Sequence, residues 1–193
     1  MATIRGNGRG NELNGTNLAD YILGLGGNDE IDGRGGNDRL YGNNGNDEID
    51  GGTGNDRIFG GNGNDELDGE QGDDRINGGN GNDELDGGSG NDILSGGNGR
   101  DRIDGGAGND VLYGGRDADI FEFELGDGAD TIRYFQLGLD RIDLDDFSLG
   151  DVRTVLREAD QDGRDVVFDF GRNGSLTLED VQLADLDTGD FVL

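Results

Sequence analysis

Residues 51–59 and 60–68 read GGTGNDRIF and GGNGNDELD, one nine-residue phrase written twice. Aspartate stands at the sixth place (Asp56, then Asp65) and an aliphatic residue at the eighth (Ile58, then Leu67). Followed outward, the phrase runs without a gap from Gly24 to Glu122 as eleven units. Every unit opens on glycine, and ten of the eleven have glycine at the fourth place, Asp117 being the exception. The sixth place is aspartate throughout: Asp29, Asp38, Asp47, Asp56, Asp65, Asp74, Asp83, Asp92, Asp101, Asp110 and Asp119. The eighth is always apolar, from Ile31 to Phe121. Two looser units open at Gly6 and Gly15 with Leu13 and Ile22 at the eighth place; the second carries Asp20, the first Asn11. Atypical end units are what a stacked array needs as caps.

The period dictates a shape. Six residues rich in glycine and asparagine suit a tight turn with positive φ angles. The remaining three, polar-apolar-polar, suit a short strand with one side chain facing in. Two units complete a coil of 18 residues, so units n and n+2 stack. The expected fold is all-β: a right-handed parallel β-roll of two sheets over residues 24–122, with atypical capping repeats at 1–23 and a β-rich cap at 123–193. The seventh place supports the coil length, alternating Glu30, Arg39, Glu48, Arg57, Glu66, Arg75, Glu84, while the ninth alternates Asp32, Tyr41, Asp50, Phe59, Asp68, Asn77, Asp86. One outer face should be acidic and the other a mixture of arginine and aromatics.

Composition says what such a roll binds. The 193 residues include 44 acids against 15 basic residues, a net charge of -29. That balance excludes a nucleic-acid partner, which requires a basic surface. Cysteine and histidine are absent, which removes disulfides, thiolate sites and the usual imidazole ligands. Oxygen donors remain, and they suit calcium or magnesium. Stacking sets the aspartates in two columns, Asp38 to Asp110 along one edge and Asp29 to Asp119 along the other. Neighbours about 4.8 Å apart repel unless a hard cation lies between successive loops. One buried aliphatic residue per nine is a thin core against the entropy of ordering the backbone, so the chain is expected to be unfolded without calcium and rigid with it. Two plainer readings compete: a glycine-rich disordered tract, which does not require unbroken periods, and aspartates that only cap turns.

These units match G-G-x-G-x-D-x-U-x, and over residues 6–122 the chain resembles the RTX (repeats-in-toxin) calcium-binding proteins. The resemblance implies calcium between successive turns, held by the sixth-place aspartates and by early-loop carbonyls. Its candidate metal ligands are Asp20 with the eleven aspartates above, and the carbonyls of Gly52, Gly54, Gly61, Gly63, Gly79, Gly81, Gly88, Gly90, Gly97, Gly99, Gly106 and Gly108. Asn11 and the Asp117–Ala118 pair depart from the pattern. The stretch ADIFEFELGDGADTIRYFQLGLDRIDLDDF resembles the segment that follows the roll in that family, and the end GDFVL is similar to its type I secretion signal. The resemblance therefore implies a secreted, extracellular bacterial protein that meets the type I apparatus during export. MATIRGNGRG has no apolar h-region, and no run approaches membrane-spanning length.

Beyond the array, strands are expected near 119–124, 130–134, 141–144, 152–157, 165–170 and 175–178, with hairpin turns at QDGR and GRNG. Residues 126–130 and 160–165 are read as solvated turns or as further calcium loops. GDFVL doubles as a last strand over the sheet. An alternative function is a binding module for an acidic polysaccharide, gripped by Arg39, Tyr41, Arg57, Phe59 and Arg75 through charge and stacking. Those residues also serve simply to keep a monomeric roll soluble. No catalytic residue is expected: His and Cys are missing, and no serine sits in a nucleophile elbow.

Overall fold

The computed structural model describes residues 1–144 and 152–192. It is a parallel two-sheet β-solenoid of about eight turns with 18 residues per turn. Places seven to nine of each unit form the strands, because a polar-apolar-polar triplet turns its middle side chain inward: Glu66–Asp68 shows Leu67 buried between two outward acids. Each strand pairs in parallel with the strand one coil on. Glu48, Ile49 and Asp50 face Glu66, Leu67 and Asp68, while Arg39, Leu40 and Tyr41 face Arg57, Ile58 and Phe59.

One sheet carries the acids on its outer face, in strands such as Glu30–Asp32, Glu48–Asp50, Glu66–Asp68 and Glu84–Asp86. The other carries Arg39, Arg57 and Arg75, and from Arg39–Asn44 to Val111–Arg116 its main strands are six residues long, as in Arg57–Asn62. They run on through the first three places of the next unit, so this sheet wraps around one edge of the roll. At the opposite edge the loops are joined by isolated bridges such as Thr53–Gln71 and, farther along, by the short paired strands Ser89–Gly90 and Ala107–Gly108. Tyr41 stacks on Phe59 with centroids 4.9 Å apart and planes 5° from parallel.

The core is a double file of eighth-place side chains, one from each sheet. From Ile22 to Phe121 none exceeds 2% exposure. Both sheets continue past Glu122: Gly128–Ile132 pairs with Val111 and Leu112, and Arg141–Asp143 pairs with Ile120–Glu122. Gly174–Leu178, in parallel with Gly128–Ile132, and Phe191–Val192, in parallel with Ile142 and Asp143, cover the end. The expected strands at 165–170 and 175–178 are present as Asp165–Asp169 and Gly174–Leu178, antiparallel, with Gly171–Asn173 turning between them. QDGR is the tip of a second hairpin, Asp160–Asp162 against Asp165–Asp169.

One element differs from expectation. Residues 152–157, read as a strand, belong to the α-helix Val152–Glu158. Val155 and Ala159, four apart, are buried and Leu156 packs beside them, which is helical spacing rather than alternation. No helix among the described residues is long and apolar enough to cross a membrane.

Because each layer of the core is a single side chain, its truncation cannot be absorbed by neighbours. Leu67→Ala should cost about 2–5 kcal/mol in urea unfolding at saturating calcium. Glu66→Ala on the adjacent outer face should stay within about 0.5 kcal/mol.

Candidate metal centre

The eleven sixth-place aspartates are all buried, from 1% to 3% exposed. Each Oδ1 accepts the backbone N–H of the sixth-place residue one coil earlier, an aspartate everywhere except at Asn11, which donates to Asp29. On one edge the chain of bonds runs Asp20, Asp38, Asp56, Asp74, Asp92, Asp110. On the other it runs Asn11, Asp29, Asp47, Asp65, Asp83, Asp101, Asp119. The bonds span 2.5 Å, Asp20 to Asp38, to 3.0 Å, Asp101 to Asp119. The aspartates do cap backbone amides, as the turn-capping reading requires, but across coils rather than within a loop.

Half of each carboxylate is left over. Oδ2 of all eleven, from Asp29 to Asp119, is buried with no hydrogen-bond partner. A buried anionic oxygen without a donor is costly, and here the cost recurs at every coil. The loop is shaped around that oxygen. A side chain on Gly60, at the first place, would overlap Asp65 Oδ2, and Gly42 and Gly78 stand likewise to Asp47 and Asp83.

The carbonyls divide into two kinds. At the fourth place those of Gly54, Gly63, Gly81 and Gly99 accept no hydrogen bond from any described residue. They lie under the fourth-place glycine of the next coil: a side chain on Gly81 would overlap the Gly63 carbonyl, and φ there is +138°. At the second place the carbonyls of Gly52 and Gly88 already accept the N–H of Gln71 and Ala107, while Gly61, Gly79 and Gly97 lie within paired strands. The candidate carbonyls are therefore not equivalent: Gly54, Gly63, Gly81 and Gly99 are open, whereas Gly90 and Gly108, also at the fourth place, lie in the paired strands Ser89–Gly90 and Ala107–Gly108. No group of three acidic side chains converges among the described residues. The repeating element is one carboxylate oxygen and backbone carbonyls per loop, a hard-oxygen set that fits calcium.

Two side-chain ladders hold the loops in register. Asn44, Asn62, Asn80 and Asn98 pass an amide-to-carbonyl bond up one edge, and Oδ1 of Asn28, Asn46, Asn64 and Asn82 each accept the N–H of the residue one coil on. At the ends the pattern changes. Asp20 has both oxygens satisfied, Oδ1 by the Ala2 amide and Oδ2 by the Thr16 amide and hydroxyl. At the other end the ladder takes in two residues that the nine-residue count passes over: Asp110 N donates to Asp130 and Asp119 N to Asp140.

Burial dominates the titration of the rows. Loss of hydration pushes Asp38, Asp47, Asp56, Asp65, Asp83 and Asp101 up to about 6. It pushes Asp74, Asp92, Asp110 and Asp119 up to about 7. The donated amide opposes the rise, and nearby carboxylates add to it. Asp20 is held below the usual range, chiefly by the Ala2 amide.

The profile for the RTX calcium-binding nonapeptide repeat (4 copies) matches in overlapping runs that together cover residues 14–132. The chain belongs to the RTX calcium-binding nonapeptide-repeat family. No curated protein matches it. Among solved structures it is similar to the extracellular lipase LipA of Serratia marcescens, at 21% identity and a TM-score of 0.53, over 93% of this chain and 39% of the lipase. It is also similar to the AlgE6R3 subunit of the Azotobacter vinelandii mannuronan C5-epimerase, at 22% identity and a TM-score of 0.32, over 97% of this chain and 80% of that one. The first likeness concerns the fold alone, and the chain spans well under half of the lipase.

The raised carboxylates give a pH dependence of definite sign. In chelator, the roll binds more protons than the unfolded chain between about pH 4 and 7, so this contribution to stability is complete below about pH 4 and is lost as the pH rises through 6 to 7. In chelator the chain should therefore be unfolded at about pH 8 and gain sheet signal in far-ultraviolet circular dichroism toward about pH 5. Proton and cation each stabilise the folded roll through the same oxygens, so the calcium midpoint for folding should move to lower calcium as the pH falls from about 8 to about 5.

Proposed function

We propose that the chain is a secreted RTX protein that folds when calcium binds between stacked loops after type I export. The observation that carries this reading is the pair of rows of buried Oδ2 atoms without donors. A divalent cation between coils supplies each with a positive partner and neutralises charge in a chain of net charge -29. The residues that would hold it are the eleven aspartates and the open fourth-place carbonyls beside them. Extracellular calcium modules bind at about 0.1–1 mM, and a site in tenfold ligand excess adds about 1.4 kcal/mol. Repeated along two edges, that increment is large beside a net folding free energy of about 5–15 kcal/mol.

Export fits the same picture. The 189–193 segment GDFVL contains the strand Phe191–Val192, which pairs with Ile142 and Asp143 in the folded state. A secretion apparatus reading that segment meets it free only in the unfolded chain. Calcium binding, rather than catalysis, is the activity proposed.

A second reading is favoured by one observation. Arg39, Arg57 and Arg75 are exposed, lie in register one strand apart, and make no ion pair among the described residues. Like charges so aligned repel, in a molecule with acids in large excess. Beside them Tyr21, Tyr41 and Phe59 form a continuous aromatic run. The combination suits an acidic polysaccharide laid along the roll axis.

Far-ultraviolet circular dichroism during a calcium titration tests the main reading: excess chelator should give an unfolded spectrum and millimolar calcium a β-sheet one. A sheet spectrum unchanged by chelator would overturn it. For the second reading, the calcium-loaded chain should be retained on an immobilised polyuronate, and Arg39→Ala with Arg57→Ala should weaken retention about tenfold or more, at roughly 1.4 kcal/mol per factor of ten. Retention equal to that of the doubly substituted chain would end it.

A further inference from the structure

Beyond Glu122 the nine-residue count fails, yet two more loops follow that keep the fourth-, sixth- and eighth-place residues while opening on Leu125 and Phe135 in place of glycine. Residues 125–133, LGDGADTIR, set Gly128, Asp130 and Ile132 at the fourth, sixth and eighth places; residues 135–143, FQLGLDRID, do so with Gly138, Asp140 and Ile142. An insertion of two residues, Phe123 and Glu124, and one of a single residue, Tyr134, separate these units from the array. They account for Asp130 following Asp110 by 20 positions and Asp140 following Asp119 by 21, in place of 18. The register agrees, since Leu112 faces Ile132 and Phe121 faces Ile142.

The two loops offer a cation different things. The first keeps the fourth-place contact of a repeat loop, although Leu125 stands where the repeats have their first-place glycine. Gly128 has φ of +118°, and a side chain on it would overlap the Gly108 carbonyl, as at Gly81 over Gly63. The Gly108 amide donates to the Asp127 carbonyl, as the Gly54 amide does to Gln71. Asp110, 1% exposed, gives Oδ1 to the Asp92 amide and has no donor at Oδ2. Asp130, 2% exposed, accepts the Asp110 amide at 2.9 Å.

The second loop closes on itself. Asp140 accepts the Asp119 amide at Oδ1 and the Gln136 amide at Oδ2, 3.1 and 2.8 Å away. A side chain on Gly138 would meet nothing within 4 Å, so no carbonyl of the preceding coil lies beneath it. Its amide donates instead to Asp190 Oδ1. This is the arrangement at Asp20, where hydrogen bonds use up the carboxylate and end the row.

We propose that a further divalent cation binds between the 106–110 and 126–130 loops, held by the carboxylates of Asp110 and Asp130, and that the Asp119–Asp140 gap takes none. The row on one edge thus reaches one coil into the cap, and the row on the other stops at Asp119. The ion would tie the array to the cap, because Gly128–Ile132 is the strand that joins Val111–Arg116 to Gly174–Leu178. The inference rests on the calcium reading above and makes a separate claim.

Native mass spectrometry of the full chain in calcium counts the ions. Asp130→Asn keeps an acceptor for the Asp110 amide while removing the charge, and should carry one ion fewer than the parent. Asp140→Asn should carry the parent number. Equal counts for parent and Asp130→Asn, or an ion lost from Asp140→Asn, overturn the proposal while leaving the calcium reading intact; a parent chain that binds no calcium overturns both. Anomalous diffraction from calcium-loaded crystals of the unsubstituted chain decides the question without any variant. A calcium peak is expected between Asp110 and Asp130 and none between Asp119 and Asp140, and the reverse pattern would refute the assignment.

Discussion

The structure depends on carboxylates stacked one strand apart inside the protein. A parallel solenoid repeats every feature of its coil at about 4.8 Å, so one buried aspartate per loop becomes a row of buried negative charge. Hydrogen bonding between coils settles half of each carboxylate and leaves Oδ2 without a partner at every step. Charge cannot remain in that state at low cost. It is protonated, as the upward shifts of the rows indicate, or it is matched by cations. The first-place glycines that leave room for Oδ2 and the fourth-place glycines that let a carbonyl approach from the coil below make the loop a fitted surround for the second solution.

The same repetition explains the thinness of everything else. Two eighth-place residues per coil form the core, and no side chain reaches across more than one layer. Asparagine ladders align the loops, and the outer faces contribute little cohesion: one is almost wholly acidic and the other sets arginines side by side. A protein whose greasy interior is one residue deep on each side has transferred its cohesion to its edges. Stability coupled to an ion follows directly, and it reconciles a composition typical of disorder with a regular fold.

The ends show how the array is stopped. Stacking has no natural limit, and an open coil exposes unpaired strand edges. At the N-terminal end Asp20 is satisfied by hydrogen bonds alone and Asn11 replaces the aspartate outright. At the other end the units at 125–133 and 135–143 carry the solenoid into the cap. Gly174–Leu178, followed outward by Asp165–Asp169 and Asp160–Asp162, then ends one sheet, and Phe191–Val192 ends the other. At Leu176, opposite Asp130, the column of aspartates gives way to an apolar residue.

Most of this was legible in the sequence because a period of nine leaves little freedom. The coil length, the two sheets, the inward eighth place, the acidic and arginine faces and the two rows of aspartate all follow from local pattern and its doubling. The units holding Asp130 and Asp140 escaped that reading for a simple reason: insertions of two residues and one destroy the count, although the spacing of glycine, aspartate and isoleucine survives. Residues 152–158 escaped it because a seven-residue helix is shorter than any reliable periodicity. Only the tertiary structure decided which oxygens remain free. Whether an aspartate is used up or left open depends on amides one coil away or across the loop, as at Asp65 and Asp140, and sequence spacing carries no record of that partnership.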